Sequence, residues 1–206
     1  MFIGTPELIA GRREEIMNAC EQLYRTMDFR EITLKEISSI TSFSRPTIYN
    51  YYQTKEEIFL NLFEREYVLW TEDLRRMSSE PAITDKNVLA EKIAESIGKR
   101  KLMLKLLAVN LYDIENNSRM ELLVSFKKAY GQSREELTNL IRRSYPGLPA
   151  EDIESFIFTF LPYMHGIYPY AFATEKQIQA MDQIGLAHPE RSIREIAKTG
   201  LLKILP

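Results

Sequence analysis

The residues best suited to chemistry in this sequence lie at positions 44–52, which read SRPTIYNYY. They place a cation, phenols and an amide within a short segment of predicted helix. At about 100° per residue, Ile48 and Tyr52 fall on one side of that helix, where they can pack against neighbouring helices. The opposite side carries four residues that would face solvent or a groove: Arg45, Pro46, Tyr49 and Asn50.

The outer side of this helix has the chemistry that the major groove of DNA accepts. Arg45 can make a bidentate contact to guanine O6 and N7, and the Pro46 ring can touch a thymine methyl. Thr47, Tyr49 and Lys55 suit phosphate contacts, which fix the register on DNA without reading its sequence. From spacing alone, the alternative stays open that these residues simply face water on an exposed helix.

Three helices are predicted to position this segment. The first spans about 6–27 and follows Thr5, a good capping residue before a proline. The second opens at Thr33, and Glu36 three residues later completes a capping box. Ser44 is expected to cap the third helix. Two short helices joined by a tight turn predict a helix-turn-helix unit.

Composition restricts the classes of function. The chain has 206 residues and a formal net charge of −2, so contact with nucleic acid requires a local basic patch. Residues 30–55 supply one, with four basic and two acidic side chains. A single cysteine, two histidines and no glycine-rich phosphate loop predict no cofactor, no metal and no enzyme activity. Without an export signal at its start, the chain is predicted to be cytoplasmic.

The rest of the chain has a helical hydrophobic period. A long helix is expected from Lys55 to the break at Ser78–Pro81, followed by helices near 84–98, 99–112, 117–145, 150–173, 175–185 and 192–205. The twenty residues from Ser155 to Thr174 carry no charge, which is about the length of a membrane span. Because the stretch contains Pro162, Pro169 and few aliphatic residues, we predict a kinked helix buried in protein and no membrane contact.

Residues Ile32–Phe59 resemble the DNA-binding signature of TetR-family transcriptional regulators. Members typically show a threonine before the second helix, a serine cap, a basic residue, Thr-Leu/Ile-Tyr, a further aromatic pair and Ser/Asn-Lys-Glu. The matching residues here are Thr33, Ser44, Arg45, Thr47-Ile48-Tyr49, Tyr51-Tyr52 and Thr54-Lys55-Glu56. By position, the resemblance implies base contacts from Lys35, Arg45, Pro46 and Asn50. It implies phosphate contacts from Thr33, Thr47, Tyr49, Tyr51 and Lys55.

The turn departs from the family pattern, because Thr41-Ser42-Phe43 replaces the usual small residue, glycine and valine. A left-handed Ser42 would cost on the order of 1 kcal/mol, and the alternative is a turn of different construction.

The resemblance implies an all-α fold with an N-terminal three-helix helix-turn-helix DNA-binding domain in residues 1–55. A long linking helix would span about 55–79, and residues 80–206 would form a helical-bundle ligand-binding and dimerisation domain. The implied function is that of a transcriptional regulator that binds a palindromic operator on double-stranded DNA as a homodimer; we favour a repressor, and an activator is the alternative. A small, mostly apolar effector would release it. The alternative is a helix-turn-helix regulator controlled by protein contacts, with no small-molecule effector.

Candidates for an effector pocket are aromatic, methionine and leucine residues at helical spacing, together with one histidine. The set is Met103, Leu107, Tyr112, Phe126, Tyr130, Phe160, Met164, His165 and Tyr168. Such residues also fit an ordinary packed core, which is the competing interpretation. For the dimer interface we consider the helix near 150–173 together with the last helix. The apolar residues of the last helix could equally seal the core of one subunit.

Overall fold

A computed structural model describes residues 4–109 and 111–206 of the chain. Within these ranges it contains eleven helices and no strand, so the predicted all-α class is confirmed. The helices are α1 (Pro6–Tyr24), α2 (Leu34–Ser39), α3 (Arg45–Ile48), α4 (Lys55–Ser79), α5 (Lys86–Gly98), α6 (Lys101–Leu107), α7 (Leu111–Asn116), α8 (Met120–Ser144), α9 (Ala150–Ala171), α10 (Glu175–Gln183) and α11 (Ile193–Ile204).

The helix ends follow the capping chemistry of the sequence. The Thr5 hydroxyl accepts a hydrogen bond from the amide of Leu8 at 3.3 Å, and α1 begins directly after it. The Thr33 hydroxyl likewise accepts from the amide of Lys35 at 3.2 Å at the start of α2. Two bounds differ from expectation. The first helix ends at Tyr24, before residue 27, and the stretch predicted over 99–112 is divided between α6 and α7.

Clustering of contacts divides the chain into two compact units. The first contains Met1–Arg65 and Val109–Lys128, and the second contains Glu66–Ala108 and Ala129–Pro206. The long helices α4 and α8 therefore each contribute residues to both units. The functional boundaries expected from the sequence, at 1–55 and 80–206, divide the chain on a different basis and stay a prediction.

Aromatic rings fill much of the core of the first unit. Phe59 contacts Tyr24 edge-on with 5.0 Å between ring centroids, and Phe63 lies 5.2 Å from Phe126. Cys20 is fully buried beside them, and burial raises the pKa of its thiol. A buried, protonated thiol is unreactive, which agrees with a packing role for this residue.

The core of the second unit combines apolar packing with buried hydroxyl pairs. Helix α11 packs against α5 and α9, and α6 packs against α9. The Trp70 indole donates to the Ser96 hydroxyl at 3.2 Å, and the hydroxyls of Thr71 and Ser133 are 2.7 Å apart. These bonds satisfy polar groups that would otherwise destabilise a dry core.

The uncharged stretch predicted to be buried forms most of α9, which continues through Pro162 and Pro169. Only one side of this helix is buried. Its other side faces solvent, with Phe158 66% exposed and Tyr170 83% exposed, so the helix is buried in its own chain on one side. Within the described part of the chain, no helix has both the length and the apolar content that crossing a bilayer requires.

The apolar residues of α11 behave differently from the exposed side of α9. Ile193, Ala197 and Leu201 are buried within the second unit, where α11 lies against α5 and α9. This packing agrees with the alternative in which the last helix seals the core of its own subunit.

Candidate nucleic-acid interface

The segment singled out by its chemistry forms a short helix followed by turns. Helix α3 covers four residues, and hydrogen bonds then run from the amides of Tyr51 and Tyr52 to the Ile48 carbonyl at 2.9 and 3.0 Å. Ser44 occupies the position before the helix but makes no side-chain cap. Its hydroxyl is 2.9 Å from that of Thr47, so it stabilises the first turn through a side chain.

The turn between α2 and α3 is built without a left-handed residue. Ser42 has a negative φ, as do all the described residues other than glycine. Its amide donates to the Glu15 carboxylate of α1 at 2.7 Å, and the Phe43 amide donates to the Thr41 hydroxyl at 3.4 Å. The turn is therefore of different construction from one with a left-handed residue, and side-chain acceptors satisfy two of its amides.

The inner side of the recognition segment, residues 45–52, is firmly packed. Ile48 and Tyr52 are fully buried, as the helical wheel predicted. The Tyr52 hydroxyl donates to the side chain of Asn61 on α4 at 3.0 Å, and the Arg13 guanidinium of α1 lies 5.8 Å from the ring centroid. Burial raises the pKa of Tyr52, so this phenol stays neutral and serves as a structural contact.

The outer side of the segment is exposed as predicted. Arg45, Pro46, Tyr49 and Asn50 all face solvent, and Tyr49 is 46% exposed. The Arg45 guanidinium donates to the Tyr49 hydroxyl at 3.0 Å and lies 5.6 Å from the centroid of its ring. This contact holds the cation against an aromatic face, which lowers the conformational entropy that a contact to a base would cost.

Of the other predicted DNA-contacting residues, Thr33, Lys35 and Ser44 are exposed and Thr47 is half-buried. The two remaining candidates lie in a different environment. Tyr51 is 2% exposed, and its hydroxyl accepts a hydrogen bond from Arg12 of α1 at 2.9 Å. Lys55 is half-buried. Its ammonium donates to the Phe29 carbonyl at 2.6 Å and lies 4.3 Å from the centroid of the Phe29 ring. The structure therefore does not bring Tyr51 to the outer side.

A buried ion pair supports the recognition segment from behind. Glu57 is fully buried and accepts from the Arg119 guanidinium at 2.7 and 3.0 Å and from the Arg119 amide at 3.1 Å. Its second oxygen also accepts from the Gln53 amide at 2.7 Å. Burial raises the pKa of Glu57, but the hydrogen bonds from Arg119 and Gln53 outweigh that effect and hold the pKa below its usual value.

Sequence reasoning missed this ion pair and the contribution of Arg12. Glu57 and Arg119 are 62 positions apart, and neither has a neighbour in the sequence that marks it as a partner. The only signal in the sequence was the pair Glu56-Glu57 at the start of α4. Acidic residues are common at helix N-termini, so this pair did not indicate a distant partner.

The residues predicted for an effector site are distributed between the two units. A cavity of about 350 Å³ in the second unit is lined by Tyr67, Leu107, Tyr130, Leu161, Pro162, Met164 and His165. Four of the predicted residues are therefore brought together there: Leu107, Tyr130, Met164 and His165. Nδ1 of His165 lies 3.0 Å from the Leu107 carbonyl oxygen, so one side of the imidazole is already engaged.

The other five predicted residues do not line this cavity. Met103 and Phe160 are buried in the core of the second unit, and the Tyr168 ring lies 4.8 Å from that of Phe172. Tyr112 is 81% exposed, and both it and Phe126 belong to the first unit. Among residues 4–109 and 111–206, no group of His, Cys, Asp and Glu side chains could hold a metal ion.

The sequence and the fold of this chain both resemble known proteins. Residues 64–205 match the family described as "Tetracyclin repressor-like, C-terminal domain". The chain also superimposes on the crystal structure of the TetR family transcriptional regulator PfmR from Thermus thermophilus, with a TM-score of 0.60 and 11% sequence identity. That match covers 92% of this chain and 96% of PfmR, and at this identity it shows similarity of fold. No curated protein sequence matches the chain. Because the family match extends over more than half of the sequence, the chain belongs to the TetR family of transcriptional regulators.

Proposed function

We propose that this protein is a repressor that binds a palindromic operator as a homodimer and is released by a small, mostly apolar effector. The observation that carries the proposal is the division of the recognition segment into two sides. Its inner side is buried against α1 and α4, while its outer side presents Arg45, Tyr49 and Asn50. A fixed inner side and a polar, cationic outer side are what docking into the major groove requires.

The exposed residues divide by chemistry into base contacts and phosphate contacts. We assign base contacts to Lys35, Arg45, Pro46 and Asn50, because cations and amides pair with base edges and a small apolar ring fits a thymine methyl. We assign phosphate contacts to Thr33, Ser44, Thr47 and Tyr49, whose hydroxyls can donate without reading sequence.

Lys55 and Tyr51 need separate treatment. The Lys55 ammonium has three donors, and its bond to the Phe29 carbonyl occupies one, so a phosphate contact by Lys55 remains part of the proposal. Because Tyr51 is buried and bonded to Arg12, we assign it a supporting role on the inner side in place of a phosphate contact.

A homodimer is proposed because one four-residue helix reads too few base pairs for useful specificity. Two recognition segments about 34 Å apart would meet successive turns of the major groove on the same face of the duplex. The exposed side of α9 is our candidate interface, since it carries large apolar groups such as Phe158 and Tyr170, with the Arg134 guanidinium 5.6 Å from the Phe158 ring centroid.

We place the site of the small-molecule effector in the cavity of the second unit, which is partly open to solvent. Its volume lies within the usual range for ligand sites, and its lining contains no Asp, Glu, Lys or Arg. An effector that prefers a different packing of the helices would shift the dimer away from the operator-binding geometry. Near-complete release requires up to about 5.5 kcal/mol of differential affinity between the two states.

The test is selection of bound fragments from a library of random duplexes by the purified protein. We expect a palindrome whose half-sites lie about one helical turn apart, and an affinity that falls steeply with salt. Recovery of no preferred sequence, or of a single non-repeated half-site, would contradict the proposal. Titration of neutral aromatic compounds into the operator complex then tests release by an effector.

A further inference from the structure

The ion pair behind the recognition segment ends on the backbone of that segment. Arg119 donates through Nη2 to the Tyr51 carbonyl at 3.0 Å while it pairs with Glu57. Glu57 in turn accepts the Gln53 amide at 2.7 Å. Arg119 therefore fixes the Tyr51 carbonyl, and Glu57 fixes the Gln53 amide, in the segment that follows α3. All of these residues belong to the first unit.

Arg119 comes from a distant part of the sequence, in the connection between α7 and α8. The same connection is attached a second time, because the Thr54 hydroxyl donates to the Asn117 carbonyl at 2.9 Å. A third link follows in α8, where the Ser125 hydroxyl donates to the Glu64 carboxylate of α4 at 2.6 Å. The connection is thus docked on residues 51–57 by directional bonds.

Such support matters because α3 is too short to hold its own direction. A single helical turn fixes many backbone angles for few hydrogen bonds, so its orientation depends on packing and on what holds its ends. The Glu57 carboxylate is fully buried, and losing its partner would leave an uncompensated charge next to the Gln53 amide.

We propose that Arg119 is a positioning residue for DNA recognition, which holds the recognition segment in its binding orientation through Glu57 and the Tyr51 carbonyl without touching DNA. This inference rests on the proposed function. It assigns part of the DNA-binding machinery to residues 117–119, which lie outside the N-terminal helices that carry the recognition chemistry.

The test compares the full-length protein with Arg119→Ala, Arg119→Lys and a matched control, Lys127→Ala. Lys127 forms an ion pair with Glu115 at 2.6 Å in the same unit, so the control also removes one paired cation. On the duplex selected by the unaltered protein, Arg119→Ala is expected to weaken binding at least tenfold. The control should stay within twofold. Arg119→Lys should be intermediate, since an ammonium lacks the planar fork that reaches both acceptors.

Two further readouts separate positioning from other roles. The dependence of affinity on salt should keep the slope of the unaltered protein, because no phosphate contact is lost. In the DNA-free protein, amides of residues 49–54 should exchange with solvent at least tenfold faster in Arg119→Ala, while those of residues 16–20 in α1 exchange as before.

Each outcome decides the inference. Normal affinity in a folded Arg119→Ala protein overturns it, and so does a salt slope reduced by about one, which would indicate a direct phosphate contact. If Arg119→Ala does not fold, Arg119→Lys decides, and normal affinity with unchanged exchange overturns the inference. If the unaltered protein selects no DNA, the proposed function fails. The exchange experiment still reports whether Arg119 holds the segment.

Discussion

Helices α3 and α9 both leave one side in solvent, but the two sides have opposite chemistry. The exposed side of α3 presents a guanidinium against a phenol, with an amide beside them. The exposed side of α9 carries no charged residue from Ser155 to Thr174 and includes Phe158 and Tyr170. The first suits a highly charged partner in water, and the second suits a partner that excludes water. Binding through α3 should therefore weaken steeply with salt, whereas association through α9 should depend on salt much less.

The largest expected effect concerns the α9 side of this comparison. Phe158→Asp removes a large exposed ring, whose centroid lies 5.6 Å from the Arg134 guanidinium, and we expect the dissociation constant of the dimer to rise at least a hundredfold, equivalent to about 2.7 kcal/mol. Sedimentation velocity measures the change. Val88→Asp, which alters an exposed apolar residue of α5, is the control and should leave the dimer intact. If Phe158→Asp remains dimeric, α9 is not the interface.

The orientation of α3 depends on the buried ion pair between Glu57 and Arg119. Breaking this pair should therefore lower the free energy of unfolding. Glu57→Gln keeps the shape but removes the charge, and we expect a loss of about 2 kcal/mol of unfolding free energy at pH 7. Because the pKa of Glu57 is lowered in the folded state, its contribution is complete above the ordinary value of about 4.3. It disappears as the pH falls through the lower folded value.

Chemical denaturation of Glu57→Gln and the unaltered protein at several pH values measures this dependence. The difference between the two proteins should be constant from about pH 5 to 7 and should shrink below that range. A difference that grows with acid would contradict the sign of the shift.

A smaller effect is expected for individual contacts of α3 with DNA. Arg45→Ala should cost about 1–2 kcal/mol on the selected duplex and relax the preference at one base pair. Lys55→Ala should weaken binding to all sequences alike and reduce the salt slope by about one. Titrations by fluorescence anisotropy on duplexes with single changes measure both. Equal loss of preference in the two variants would contradict the division into base and phosphate contacts.

The smallest effects are expected for two glycines. Gly200 of α11 faces Tyr163 of α9, and Gly166 lies on the exposed side of α9. A Cβ at Gly200 of α11 would overlap the Tyr163 ring, whose hydroxyl donates to the Ile196 carbonyl at 2.8 Å. Gly200→Ala should therefore destabilise the protein by about 1 kcal/mol despite the better helix propensity of alanine. Gly166 on the exposed side meets nothing within 4 Å, so Gly166→Ala should stabilise by about 0.5–1 kcal/mol. Thermal unfolding of both variants distinguishes the two cases.

Local chemistry made the N-terminal helices predictable. The caps at Thr5 and Thr33 and the two sides of residues 45–52 follow from spacing and hydrogen-bonding capacity over a few residues. The resemblance added candidate contacts, among them a phosphate contact from Tyr51, and it did not indicate the hydrogen bond from Arg12 that the hydroxyl of Tyr51 accepts.

Long-range geometry was not predictable in the same way. Tyr112 and Phe126 share the aromatic character of the pocket candidates, but the fold carries them into the first unit. Helical periodicity states which side of a helix is apolar and does not state what covers it. For α9, the uncharged stretch indicated burial in protein, and it did not state which side of the helix its own chain covers.

The two prolines of α9 have a consequence for whatever covers that helix. Neither has an amide hydrogen, so the helical bonds from these positions to the carbonyls of Phe158 and His165 cannot form. The prolines are seven positions apart, which is close to two turns, and both are exposed. A purely apolar covering surface would therefore leave these two carbonyl oxygens without hydrogen-bond donors. The covering surface must supply hydroxyl or amide hydrogens to them, or enclose water molecules that do so. The surface that covers α9 must therefore be apolar with hydrogen-bond donors at two points, and the exposed hydroxyl of Tyr170 on a second α9 is such a donor.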